Sequence, residues 1–247
     1  MREVTVSFGG IKALEDVSVD VGGSEVVGVI GPNGAGKTTL FNVICGFVAP
    51  DSGTISWRDS SLNSLRPHRL ASAGISRTLQ SVGLFSKLTV LENVMTGADR
   101  FRRARYGGAL LGLWTSDRDE RALRERARTS LAKLDCAGIE DRLPGTLPFA
   151  VQKRVALARA LACEPQLLLL DEPAGGLATD EMSELGELIR TLGKSIAVMV
   201  VEHHMDLVME LADEVVVIET GEVIGRGSPA QVQADPRVLE AYLGKAA

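Results

Sequence analysis

The stretch that most restricts this chain is "EVVGVIGPNGAGKTT", residues 25–39. The β-branched run Glu25–Ile30 is bounded by glycines and reads as a short buried strand. Gly31–Thr38 then fits G-x-x-x-x-G-K-[ST] without exception, and the apolar "LFNVICG" that follows reads as a helix. Strand, glycine loop and helix is the context in which that spacing has a mechanism. The glycines let backbone N–H groups close around β- and γ-phosphates. The helix N-terminus adds the positive end of its dipole. Lys37 supplies a point charge and Thr38 offers its hydroxyl to Mg²⁺.

Three further apolar runs read as strands: "LLLLDE", "SIAVMVVEHH" and "DEVVVIETGEVIG", the last as a strand, a glycine turn and a second strand. Helical patterns separate them, which predicts an α/β fold with a mostly parallel sheet covered on both faces. Asp171 ends the leucine run, where a Mg²⁺ carboxylate belongs, and Glu172 follows it. Neighbouring residues at a strand end point different ways, so one acid can serve the metal side while the other faces an attacking water.

The middle of the chain is different. From about residue 88 to 161 no strand pattern is evident. Leu123, Ala127, Leu131 and Leu134 fall on one stripe at helical spacing, and Ser116 with Asp119 forms a capping-box pattern at its start. This stretch is expected to be an inserted helical subdomain. The basic, glycine-containing "FRRARYGGALLG" before it reads as a solvated loop, with a membrane-side or partner contact as the alternative.

Composition narrows the class. At 45% hydrophobic and 4% aromatic residues, 247 residues can bury a sizeable aliphatic core. A net charge of −5 argues against a nucleic-acid surface as the main business. Cys45, Cys136 and Cys163 lie far apart, which suits buried thiols in a reducing compartment. No apolar run approaches the roughly 18–20 residues of a membrane span. The N-terminus has no signal-peptide pattern, so a soluble, cytosolic chain is expected.

Taken together, these segments resemble the ATPase subunits of ABC transporters over nearly the whole chain. "GPNGAGKTT" resembles the family's Walker A, which implies contacts to ATP from Gly31, Asn33, Gly34, Ala35, Gly36, Lys37, Thr38 and Thr39. "RTLQSVGLFSKLTVLENV" resembles its Q-loop segment, with Gln80 as the glutamine that meets Mg²⁺ and water. "LLLLDEPAGGL" resembles its Walker B, with Asp171 toward Mg²⁺ and Glu172 as the catalytic glutamate. "VVEHHMDLV" resembles its switch region, with His203 at the γ-phosphate histidine and His204 as a bystander. Phe8 matches the aromatic that stacks on adenine.

The resemblance implies a P-loop NTPase (RecA-like) core over 1–87 and 162–247, with an N-terminal antiparallel β subdomain, and a helical subdomain over 88–161. It implies ATP and Mg²⁺ as cofactors, transmembrane permease subunits and a second ATPase subunit as partners, and a peripheral position on the cytoplasmic side of the membrane. "FGG", the Q-loop segment and the ending "GSPAQVQADPRVLEAYLG" look most like the branched-chain amino acid uptake branch. Urea-uptake and lipopolysaccharide-export ATPases share parts of these patterns. A nucleotide-gated module of low turnover is the alternative in another class. A soluble ABC ATPase of DNA repair or translation is a further one, but it would carry long coiled-coil insertions or tandem cassettes.

Two departures stand out. The family's signature usually begins leucine-serine-(glycine or aromatic)-glycine-glutamine. In "LPFAVQKRVALARAL", Pro148 replaces the serine, Ala150 the glycine and Val151 the glutamine, and Ala178 stands where the D-loop has Asp or Asn. Proline has neither hydroxyl nor N–H, and a methyl crowds an approach that glycine permits. These changes favour a heterodimer with one weakened site. Met1 lies only seven residues before Phe8, where family members have more of a strand, so an excised domain or part of a longer fused protein is expected.

Overall fold

The computed structural model describes residues 1–58, 60–63, 65–78, 81–102 and 115–243, with the side chains of 115–117 and 243 outside that description. Two compact units emerge, Met1–Leu70 with Leu169–Ala247, and Ala71–Leu168.

The first unit is organised around β3 (Val26–Ile30), all five of whose residues are buried. β3 runs parallel to β9 (Ala197–Val201) on one side and to β10 (Glu214–Glu219) on the other. β11 (Glu222–Gly227) continues the sheet antiparallel to β10, and β8 (Leu167–Asp171) lies beyond β9. The turn between β10 and β11 places Thr220 at φ 49° and Gly221 at φ 85°, the pair of left-handed residues that a two-residue hairpin requires. β8 and β9 are also buried throughout, as expected of strands covered on both faces. Burying each Val, Leu or Ile contributes about 1.5–3 kcal/mol, so these runs dominate the core.

A separate antiparallel sheet joins β1 (Arg2–Phe8), β2 (Ile11–Val17) and β4 (Ser52–Thr54) in the order β2-β1-β4. Its inward positions include Val4, Val6, Leu14 and Val17. The short strands β5 (Ser56–Trp57) and β6 (Ser60–Ser61) pair with each other. Helix α1 (Lys37–Ile44) follows β3 directly.

The second unit is mainly helical. It holds α2 (Val90–Gly97), α3 (Thr115–Ala132) and α4 (Phe149–Leu161). In α3, Leu123, Ala127 and Leu131 are buried, as is Leu134 just beyond it, which is the stripe the sequence spacing picks out. The capping pattern read at Ser116 falls on a side chain outside the described residues. α2 carries a capping box of its own, between Thr89 and Glu92. α2 ends at Gly97, where a Cβ would lie 1.9 Å from the Arg159 carbonyl oxygen of α4. The unit also holds β7 (Ile75–Arg77), just before which the Gly74 carbonyl accepts the amides of Gln166 and Leu167 at 2.7 and 3.1 Å.

All three cysteines are free and buried. Burial pushes the Cys136 thiol up to about 11, which leaves it protonated and unreactive near neutrality. Among the described residues no helix is long and apolar enough to cross a membrane.

Fully buried Asn93 organises the loop before α2. Its Oδ1 accepts from the Phe85 amide at 2.8 Å, and its Nδ2 reaches the carbonyls of Phe85, Leu88 and Thr89 at 3.0, 3.1 and 2.9 Å. Asn93→Ala should therefore destabilise the fold by about 2–3 kcal/mol, because it strands buried backbone groups. Urea denaturation followed by circular dichroism checks this. A change below about 0.5 kcal/mol, the size of an ordinary surface substitution, would contradict it.

Candidate functional site

The site is built at the carboxyl ends of β3, β8 and β9, the position where open α/β sheets bind ligands. Val29 pairs with Val201 across β3 and β9. The amide of Glu202 donates to the Val29 carbonyl at 3.2 Å, and the amide of Glu172 donates to the Val201 carbonyl at 2.9 Å. Three strand ends thus lie side by side through backbone hydrogen bonds.

The phosphate loop leaves β3 at Gly31. A Cβ there would lie 2.0 Å from the Ile218 carbonyl oxygen, so only glycine lets the loop pass β10. Gly36 has φ 106° and a Cβ would meet the Ala13 carbonyl oxygen at 2.4 Å. The loop closes with the Ala35 amide donating to Pro32 at 3.2 Å, and α1 begins with the Leu40 amide donating to Gly36 at 2.9 Å. Asn33, Gly34 and Thr38 are exposed, Gly36 and Thr39 partly so, and Ala35 is packed inward.

Lys37 is buried, and its Nζ donates to the carbonyls of Gly31 and Pro32 at 2.7 and 2.9 Å. The ammonium is thus folded back over its own loop. Burial holds it below its ordinary value, while the charges of Glu172 and Asp171 pull it back up.

Asp171 is the last residue of β8 and is buried. Glu172 is partly exposed and sits at φ 45°, a left-handed conformation that costs a non-glycine residue on the order of 1 kcal/mol. The hydrogen bond from its amide to the Val201 carbonyl, and the Gly175 amide donating to its own carbonyl at 3.2 Å, hold it there.

His203 is exposed, with Nδ1 3.6 Å from Glu202 Oε2. His204, set aside in the sequence, lies against it, with ring centroids 4.1 Å apart and planes tilted by 39°. Phe8 is 51% exposed at the end of β1, a face open to stacking. Gln80 lies outside the described residues.

Sequence reasoning passed over Glu202, which is fully buried and accepts the amide of Ala174 at 2.8 Å and that of His203 at 3.0 Å. The available signal was an acid closing an otherwise apolar strand.

In the second unit, Pro148 is the N-cap of α4 and provides no side-chain hydrogen bond to it. Phe149 is 45% exposed, and the Gln152 side chain turns back to donate to the Leu147 carbonyl at 3.0 Å. In the first unit, Ala178 is the N-cap of α5 (Thr179–Gly193). Its amide donates to Glu181 at 3.0 Å, so only half of a capping box is made.

A parallel sheet with a glycine loop opening into α1, and two acids at the end of β8, defines a P-loop nucleotide-binding protein. The chain belongs to the ABC transporter family, whose model matches residues 14–175. A second model, described as branched-chain amino acid ATP-binding cassette transporter, matches residues 222–247. The high-affinity branched-chain amino acid transport ATP-binding protein BraF of Pseudomonas aeruginosa is 37% identical over 245 residues, 98% of this chain and 96% of BraF. LivG of Escherichia coli K12, a protein of the same description, is 37% identical over 241 residues, 97% of this chain and 94% of LivG. The crystal structure of the ADP conformation of MJ1267, an ATP-binding cassette of an ABC transporter, superposes with a TM-score of 0.85 at 31% identity. It covers 99% of this chain and 97% of MJ1267.

Lys37→Ala should remove most ATP affinity, because it deletes the buried ammonium of the loop. Titration with a fluorescent ATP analogue reads this directly. Unchanged binding would rule out the loop as the phosphate site.

Proposed function

We propose that this chain is the ATP-hydrolysing subunit of an ABC importer for branched-chain or other hydrophobic amino acids. One observation carries the ATPase part: the glycine loop leaves β3 where Asp171 ends β8 and Glu172 follows it, at strand ends joined through backbone hydrogen bonds. The family model at 222–247 and the likeness to BraF and LivG support the amino-acid reading over urea or lipopolysaccharide.

In this reading the loop amides and Lys37 bind the β- and γ-phosphates, and Phe8 stacks on the adenine. Glu172 orients the attacking water and takes its proton, and His203 donates a hydrogen bond to the γ-phosphate. Water adds to the γ-phosphorus as the bond to the β-phosphate oxygen breaks, releasing ADP and phosphate. The residues contribute mainly positioning and charge stabilisation. An exposed hydroxyl at the start of α1 and a buried acid at the end of β8 are the hard oxygen donors that Mg²⁺ prefers. Thr38 and Gln80 would hold it, with Asp171 directly or through water. When bound, the ion supplies positive charge against the phosphates.

ATP is expected between two subunits arranged head to tail, each site completed by the other subunit's signature. The partners are a second ATPase subunit and transmembrane permease subunits, with the chain peripheral on the cytoplasmic face. This chain's Pro148, Ala150 and Val151 remove a hydroxyl and crowd the backbone at the start of α4. A heterodimer would then hold one competent site, using this chain's Lys37 and Glu172, and one that mainly retains nucleotide.

Glutamate-to-glutamine changes placed separately in each subunit of the purified transporter test this. Glu172→Gln should keep ATP binding and lower turnover by about 10²–10³-fold, the scale of losing a transition-state contact. The matching change in the partner should cost far less. Equal losses from both would refute the asymmetry, and wild-type turnover in Glu172→Gln would remove Glu172 from the role.

A further inference from the structure

We propose that Glu202 is the positioning residue that holds Glu172 and His203 in a fixed relation to each other. The inference rests on the roles given to those two residues above. Glu202 follows β9 directly and is completely buried. One carboxylate oxygen, Oε1, accepts the amide of Ala174 at 2.8 Å, two residues after Glu172. The other, Oε2, accepts the amides of His203 and His204 at 3.0 and 3.4 Å. A single side chain therefore ties the loop after β8 to the loop after β9. Its own amide is anchored on Val29, in the strand that leads into the phosphate loop.

The chemistry of the clamp is specific. A buried carboxylate is costly unless hydrogen-bonded, and charge-assisted bonds of this kind are roughly twice as strong as neutral ones. Both oxygens face N–H donors, so both must act as acceptors. Glutamine has the same size but turns one acceptor into an NH₂ group, which would face an amide N–H. Asp keeps two acceptors and is one methylene short. Glu172 needs such a clamp, because its left-handed backbone persists only where neighbours over-determine it. Potential ligand atoms of Glu202, His203 and His204 lie within 4.8 Å of one another, but the two Glu202 oxygens are already committed to amides. The geometry is that of a backbone clamp rather than an ion site.

The test uses the purified transporter, in which this chain is paired with its partner ATPase subunit and carries Glu202→Gln, Glu202→Asp or Glu172→Gln. Hydrolysis is followed as phosphate release from labelled ATP, and nucleotide affinity by a fluorescent ATP analogue. Displacing a catalytic group by about 1 Å costs on the order of 10²-fold, so Glu202→Gln should lower kcat by about 10–100-fold while affinity stays within about 2-fold. Glu202→Asp should recover part of the loss. Should the glutamine variant fail to fold, the aspartate variant decides by the same criterion of lowered kcat at retained affinity. Wild-type kcat, or a parallel fall in kcat and affinity, would overturn the clamp. Glu172→Gln separates the two levels: if it still hydrolyses ATP, the underlying reading fails. If it is inert while Glu202→Gln turns over fully, only the positioning role fails.

Discussion

The backbone of the phosphate loop is wedged between two carbonyl oxygens, and the rest of the site depends on that wedge. Ile218 presses on Gly31 from β10, and Ala13 presses on Gly36 from β2. Neither position has room for a Cβ, so the loop's path is set by sheet packing before any ligand arrives. Lys37 is held inside by its own loop carbonyls. Burial lowers the pKa of this ammonium, and the charges of Glu172 and Asp171 oppose that shift.

The second constraint is the hydrogen bonding of the strand ends. β3, β9 and β8 are stepped so that Val29 receives the Glu202 amide and Val201 receives the Glu172 amide. Apolar burial brings the strands together, but these polar bonds decide which side chains emerge beside the loop. The placement of Asp171 and Glu172 is a consequence of register: a one-residue slip would turn each to the opposite environment.

Much of this is legible in the sequence because the central strands are runs of Val, Ile and Leu buried on both faces. The hairpin at Thr220 and Gly221 carries its own turn signal. Helix α3 is legible through the stripe from Leu123 to Leu134. Other parts carry too little pattern. β7 has three residues, and β5 and β6 have two each, too short for any periodicity to register. In β2 the buried Leu14 and Val17 lie three positions apart, which breaks the alternation that would mark a strand, and its pairing with β1 shifts register after Val4 and again after Val6. Glu202 is the instructive case. Nothing in "VVEHH" tells a buried acceptor from a solvated acid, because its partners are main-chain amides that belong to every residue type.

The central claim is that the loop from Gly31 to Thr38 is a nucleotide site. Equilibrium titration of the wild-type chain with ATP and Mg²⁺ by calorimetry tests it most directly. The account predicts saturable binding of one nucleotide per chain with a Kd on the order of micromolar to hundreds of micromolar, the range in which enzymes hold common substrates. Absence of saturable heat at millimolar nucleotide would contradict it.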